Sequence, residues 1–139
     1  MTLYVDSSAL AKLYVAEADS DVAERLLMND HDWLTANHTY VEVMLTLSRR
    51  VQEHEVQAAR EAFDDEWSRI LIVALDVALC RRAAAIGVET STRTLDALHL
   101  AAAERAGTGL DFLTFDLRLA DAARTLGFAV VGPPDYSPH

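Results

Sequence analysis

Four acids spread along the chain, Asp6, Glu42, Asp96 and Asp116, are the residue type that holds a hard divalent cation. Carboxylates brought close together repel, so a cluster of them is stable only when a cation or shared protons compensate. Oxygen-only ligands select Mg²⁺ or Mn²⁺ over zinc. The five histidines are scattered, no Cys/His spacing suggests zinc, and His99 lies near a candidate acid, Asp96. A metal site built from the four acids is therefore the first expectation.

The acids differ in what else could explain them. Asp6 and Asp116 each follow an apolar, strand-like run and precede a helical one, a position at which aspartate is a preferred N-cap. Asp96 falls in the first turn of a helix, where a carboxylate gains from the helix dipole. His99, three residues on, shares its face, so a local hydrogen bond is open to the pair. Glu42 stands in Tyr40-Val41-Glu42-Val43-Met44-Leu45, apolar on nearly every face, which predicts a mostly buried helix. A buried carboxylate requires a partner, a shifted pKa or a metal. An arginine from elsewhere in the chain is the alternative to a metal.

The elements that must position these acids read as strands alternating with helices. Leu3–Val5 is a strand, followed by helices over Ser7–Glu17 and Asp19–Met28. Trp33–Ala36 is a strand, and Asn37 is placed to cap a helix from His38 to Arg50. Apolar positions Val56, Ala59, Ala62, Phe63 and Trp67 give helical spacing over Glu53–Arg69. Ile70–Leu75 reads as strand, with Asp76 capping a helix to Ile86 and residues 87–91 as a connection. Thr92 or Thr94 opens a helix that ends at Ala106 before Gly107. Phe112–Phe115 is a strand, Asp116 starts a helix to Leu126, and Phe128–Val131 is the last strand before Gly132-Pro133-Pro134. This alternation predicts an α/β domain with a mostly parallel sheet. Ligands of such sheets bind beyond the carboxyl ends of the strands, where Asp6 and Asp116 would lie.

With 139 residues the chain has the length of one domain, 1–139, and no repeat or linker divides it. The single cysteine, Cys80, cannot pair within the chain and reads as a small buried hydrophobe in a reducing compartment. No apolar run approaches the ~20 residues of a membrane span, so no membrane partner and a cytoplasmic location are expected. Net charge is −10, and Lys12 is the only lysine. Such acidity counts against nucleic-acid binding unless metal offsets it, and it suits a metal site or a basic protein partner.

The sequence resembles the PIN-domain nucleases, specifically VapC-type toxins of toxin–antitoxin pairs, over essentially its whole length. The resemblance is carried by Tyr4-Val5-Asp6-Ser7-Ser8-Ala9-Leu10, by Tyr40-Val41-Glu42-Val43, by Arg93 through Ala101, and by Leu113-Thr114-Phe115-Asp116-Leu117-Arg118-Leu119, in that order. It implies an α/β/α sandwich around a central, mostly parallel sheet, with Asp6, Glu42, Asp96 and Asp116 as the catalytic acids. Asp6, Asp96 and Asp116 would be direct metal ligands, and Glu42 a ligand or a residue that orients the attacking water. Ser7 and Thr114 would support the site, and Lys12, Arg93 and Arg118 are candidates for binding substrate phosphate. The implied activity is Mg²⁺- or Mn²⁺-dependent hydrolysis of RNA phosphodiesters, and the implied partners are a VapB-type antitoxin and a second copy in a homodimer. Phe63 and Trp67 are candidates for partner contact, although ordinary core packing is preferred for them. A PIN-like module that binds RNA or protein without cutting is the alternative. A response-regulator domain would need a late lysine, and a haloacid dehalogenase an Asp where Ser8 stands, so neither fits.

Overall fold

A computed structural model describes residues 2–29 and 32–132. Five strands, β1 (Thr2–Val5), β2 (Asp32–Ala36), β3 (Leu71–Val73), β4 (Asp111–Leu113) and β5 (Ala129–Val131), form one sheet. Their order is β3-β2-β1-β4-β5, and every neighbouring pair is parallel. The helices are α1 (Ser7–Ala11), α2 (Ser20–Met28), α3 (His38–Arg50), α4 (Glu53–Trp67), α5 (Val77–Thr90), α6 (Thr94–Ala106) and α7 (Leu117–Thr125).

The period-two alternation along β1 decides which layer each side chain enters. Leu3 and Val5 join Trp33 and Leu113 on one face, packing on Leu10 of α1, Leu27 of α2, Leu47 of α3 and Phe63 of α4. Tyr4, Leu34 and Phe112 point to the other face, against Ile86 of α5, Leu100 of α6 and Leu119 of α7. Helices thus cover both faces of the parallel sheet, which is the expected α/β/α sandwich. Small residues on α6, Ala97 and Ala101 through Ala103, let that helix approach the sheet and its neighbours closely.

Chain order reverses at β1, because β2 and β3 extend to one side of it and β4 and β5 to the other. The crevice between the carboxyl ends of β1 and β4 is the switch point at which such sheets bind ligands. The Asp6 amide donates to the Leu113 carbonyl at 3.3 Å, so the two strand ends are joined there.

Several expectations need correction. The first helix stops at Ala11, and residues 12–15 form a tightened turn. Leu13 and Tyr14 donate to carbonyls three residues back, and the Ser20 hydroxyl caps the Val15 carbonyl at 2.8 Å. Asn37 does not cap α3, since its backbone is already helical and its side chain makes no capping bond. The α5 helix continues through Gly87 to Thr90 instead of ending at Ile86. Gly87 packs within α5 against α6, where an added Cβ would sit 3.4 Å from that of Ala97. Cys80 is exposed, because the buried stripe of α5 runs through Leu79, Ala83 and Ile86 and the neighbour of Leu79 points outward. The α3 helix is less buried than predicted, with Val41 and Leu45 about half exposed. Phe63 is fully enclosed, and Trp67 packs on Tyr40 and Phe63, as core packing anticipated. Pro133 and Pro134 lie outside the described residues.

Candidate active site

Asp6 leaves β1 and caps α1, so the capping and site readings hold together. Its backbone is extended and its Oδ1 accepts from the Ala9 amide at 3.1 Å. The same oxygen accepts from the Ser8 hydroxyl at 2.7 Å, and Oδ2 accepts from the Thr114 hydroxyl at 2.6 Å. Asp6 is 3% exposed. Burial raises its pKa above the ordinary aspartate value, against the opposing influence of His99 and of these hydrogen bonds.

Thr114, fully buried at the end of β4, ties the first acid to the last. Its hydroxyl donates to Asp6 and accepts from the Asp116 amide at 3.0 Å. Ser8 works beside it, accepting from the Phe115 amide at 3.0 Å while donating to Asp6. Asp116 caps α7 through Oδ1, which accepts from the Arg118 and Leu119 amides at 2.9 and 3.2 Å. That leaves its Oδ2 outside the cap.

Glu42 rides on α3, the helix after β2, and its side chain is 23% exposed. Among the described residues no arginine pairs with it. Its Oε1 lies 2.8 Å from His99 Nε2 and 3.5 Å from His38 Nε2. Burial pushes the Glu42 carboxyl up, but the His99 hydrogen bond and the charges of His99 and His38, with the Ser7 hydroxyl, outweigh it and hold the group below its usual value. His99 therefore does not pair with Asp96 in its own turn. It sits buried on α6 and reaches Glu42 with one nitrogen and the Tyr4 hydroxyl, at 2.7 Å, with the other. Burial and the neighbouring His99 lower His38 to about 4, against the pull of Glu42.

Asp96, in the first turn of α6, is raised by burial and then by the charges of Asp116, Asp6 and Glu42, with His99 opposing. Asp96 thus feels the charges of the other three acids. Glu42, Asp96 and Asp116 line a cleft of about 540 Å³ together with residues 92–95, and Asp6 is joined to it through Thr114. Carboxylate oxygens under mutual repulsion, with a half-exposed rim, suit a hard divalent cation.

Of the three basic candidates, Arg93 lines this cleft and also an adjoining polar pocket of about 270 Å³, which Arg118 lines as well. Lys12 is elsewhere engaged. It is held by Glu17 at 2.7 Å and Asp19 at 2.8 Å, its side chain is 10% exposed, and its ammonium lies over the Phe115 ring. Two carboxylates already neutralise it, so it is not a free phosphate ligand.

Comparison of the sequence with known families matches residues 3–125 to the PIN domain. The chain is a PIN-domain protein. A Mycobacterium tuberculosis relative named ribonuclease VapC46 is 36% identical over 94% of this chain and 97% of its own length. Another from that organism, ribonuclease VapC35, is 34% identical over 94% of this chain and 96% of its own. Among solved structures, the M. tuberculosis VapC20 toxin, described as cleaving the sarcin–ricin loop, superposes with a TM-score of 0.74 at 24% identity, covering 94% of this chain and 99% of that one. A toxin–antitoxin complex from Klebsiella pneumoniae gives 0.68 at 18% identity, covering 100% and 98%.

Within this PIN domain, reading the sequence missed Ser8, Tyr4 and His38. A signal existed for His38, which stands four residues before Glu42 on one helical face. Tyr4 gave none, because an aromatic in a buried strand is ordinary core until its hydroxyl is seen to reach a histidine 95 residues away.

Proposed function

We propose that this protein is a metal-dependent endoribonuclease, the toxin of a VapBC-type pair, hydrolysing RNA phosphodiesters through Asp6, Glu42, Asp96 and Asp116. The observation that carries the reading is the set of mutually repelling carboxylates at the carboxyl rim of a parallel sheet, on a chain 36% identical to a ribonuclease. A module that only bound RNA or protein would have no use for acids held against one another.

Bound Mg²⁺ or Mn²⁺ would supply the positive charge that activates water and offsets the phosphate. Asp6, Asp96 and Asp116 are the residues that would hold it. Thr114 and Ser8 fix both oxygens of Asp6, so that ligand arrives already oriented. Glu42, kept ionised by His99 and partly exposed to the cleft, is suited to accept a proton from the attacking water. Arg93 and Arg118 flank the path along which an RNA backbone would leave the acids, so we assign them phosphate contacts.

The same reading gives the chain, as a single domain, a VapB-type antitoxin and a second copy as partners in the cytoplasm. No helix among the described residues is long and apolar enough to cross a membrane.

The test is cleavage of RNA by purified protein with Mg²⁺ or Mn²⁺, with EDTA and Asp96→Asn as controls. Cleavage should stop in both controls, and products should carry 5′-phosphate and 3′-hydroxyl ends. A 2′,3′-cyclic phosphate product would overturn attack by water.

A further inference from the structure

We propose that His38, Glu42 and His99 form a second metal site, one that takes a borderline divalent ion such as Zn²⁺ or Co²⁺. One ring nitrogen from each histidine and one Glu42 oxygen all lie within 4.8 Å of one another. Two of the separations are 2.8 Å and 3.5 Å. Tetrahedral ligands with bonds of about 2.0–2.1 Å stand roughly 3.3 Å apart, so side-chain shifts of about an ångström make room for an ion. Two imidazoles and one carboxylate, with water in the fourth position, are a donor set that zinc accepts and Mg²⁺ does not favour.

The surroundings support ligation. A ligating imidazole is normally held by a partner on its other nitrogen. For His99 that partner is the Tyr4 hydroxyl, which can donate or accept and so keeps its bond when the far nitrogen gives up its proton. For His38 the Leu95 carbonyl, 3.1 Å from Nε2, takes this part when Nδ1 is the ligating nitrogen, because Nε2 is also the atom 3.5 Å from Glu42. The His38 side chain is only 10% exposed, yet its Nδ1 has no hydrogen-bond partner. Among the described residues it is the one buried side-chain nitrogen or oxygen left without such a partner, an independent sign of a missing ligand on a ring that also lies beside the Glu42 carboxylate. Ligation supplies it, with a ring flip deciding which nitrogen meets the ion. The ion enters from the cleft past Glu42, the one member with appreciable exposure. Because Glu42 also faces the aspartates, an ion bound here draws it towards the imidazoles.

The test is titration of the 139-residue chain with Co²⁺. Four-coordinate Co²⁺ with nitrogen ligands absorbs strongly in the visible, whereas six-coordinate Co²⁺ among oxygens is nearly colourless. The expected result is an intense band that Zn²⁺ abolishes, that millimolar Mg²⁺ leaves in place, and that survives Asp96→Asn. His38→Gln should weaken binding by about tenfold or more. A band lost in Asp96→Asn, displaced by Mg²⁺, or unchanged in His38→Gln overturns the proposal. Should His38→Gln misfold, pulsed EPR of the Cu²⁺-loaded native chain decides: two coupled imidazoles support the site, and one or none refutes it. None of these readouts requires nuclease activity, so failure of the ribonuclease reading leaves this test intact.

Discussion

Replacing Thr114 by Val removes one hydroxyl and almost no volume, which makes it a clean probe of how the site is held. The hydroxyl donates to the buried Asp6 carboxylate at 2.6 Å and accepts from the Asp116 amide at 3.0 Å, while its contact with Ser8 at 3.4 Å is long and adds little. A hydrogen bond to a charged group contributes about 1.5–3 kcal/mol, and the partly buried amide about 0.5–1 kcal/mol more. The expected loss is therefore about 2–4 kcal/mol. Unfolding entropy for a chain of this length makes each kcal/mol worth roughly 3–4 °C, so Tm should fall by roughly 7–14 °C. Thr114→Ser keeps the hydroxyl and gives up a methyl group, at about 1 kcal/mol. Asp6, already raised by burial, loses a bond that opposed the rise, so its pKa climbs further in the Val variant. Its ionised form is then harder to reach, and the acid limb of metal-dependent cleavage moves to higher pH. The stability deficit of the Val variant should shrink as pH falls, because a protonated Asp6 needs the donor less. Urea and thermal unfolding of both variants between pH 4 and 8, with RNA cleavage alongside, measure all of this. A Val variant within about 0.5 kcal/mol of the parent, or a Ser variant equally damaged, would refute the tie between Asp6 and Asp116.

Gly132, at φ 108°, lies so close to β4 that an added Cβ would stand 2.3 Å from the Thr114 carbonyl oxygen. Gly132→Ala should cost about 2–4 kcal/mol in urea unfolding and reduce cleavage by displacing Thr114. Asp96→Asn relieves repulsion from Asp116, Asp6 and Glu42, so the metal-free variant should melt about 2–3 °C higher. In calorimetry its stabilisation by added Mg²⁺ or Mn²⁺ should largely vanish. In EDTA, stability should fall as pH drops from about 6.5 to 4. His38 binds fewer protons folded than unfolded across that window, and the depressed Glu42 acts in the same direction below it. Chemical denaturation at stepped pH reads this slope, which His38→Gln should flatten. Lys12→Ala, which takes the ammonium from Asp19 and leaves Glu17 to Arg50 alone, should lower stability by about 1 kcal/mol while leaving the KM for RNA unchanged.

The sequence carried what is local. Strand and helix periodicity, and the caps at Asp6, Asp76 and Asp116, depend on residues a few positions apart, and all of these appear in the structure. The order of the acids within their motifs was also enough to name the family. Boundaries moved where a distant contact overrode local preference, as at Val15, whose carbonyl is capped by Ser20, and at Gly87, which packs beneath α6.

What only the tertiary structure decided is which partner each charged group takes. Glu42 had looked like a buried acid with no cation to meet it, and it proves to be partly exposed and bonded to His99, 57 residues away. Lys12 was a candidate for binding phosphate, and the structure pairs it with Glu17 and Asp19. The Asp6–Thr114 bond spans 108 residues and exists only because β1 and β4 are neighbours across the switch point. Hydrogen bonds and charge–charge interactions act over a few ångströms of space whatever the separation along the chain. Sequence therefore named the acids, and the packing of strands and helices determined which of them share donors, which repel, and where two histidines come to face one carboxylate.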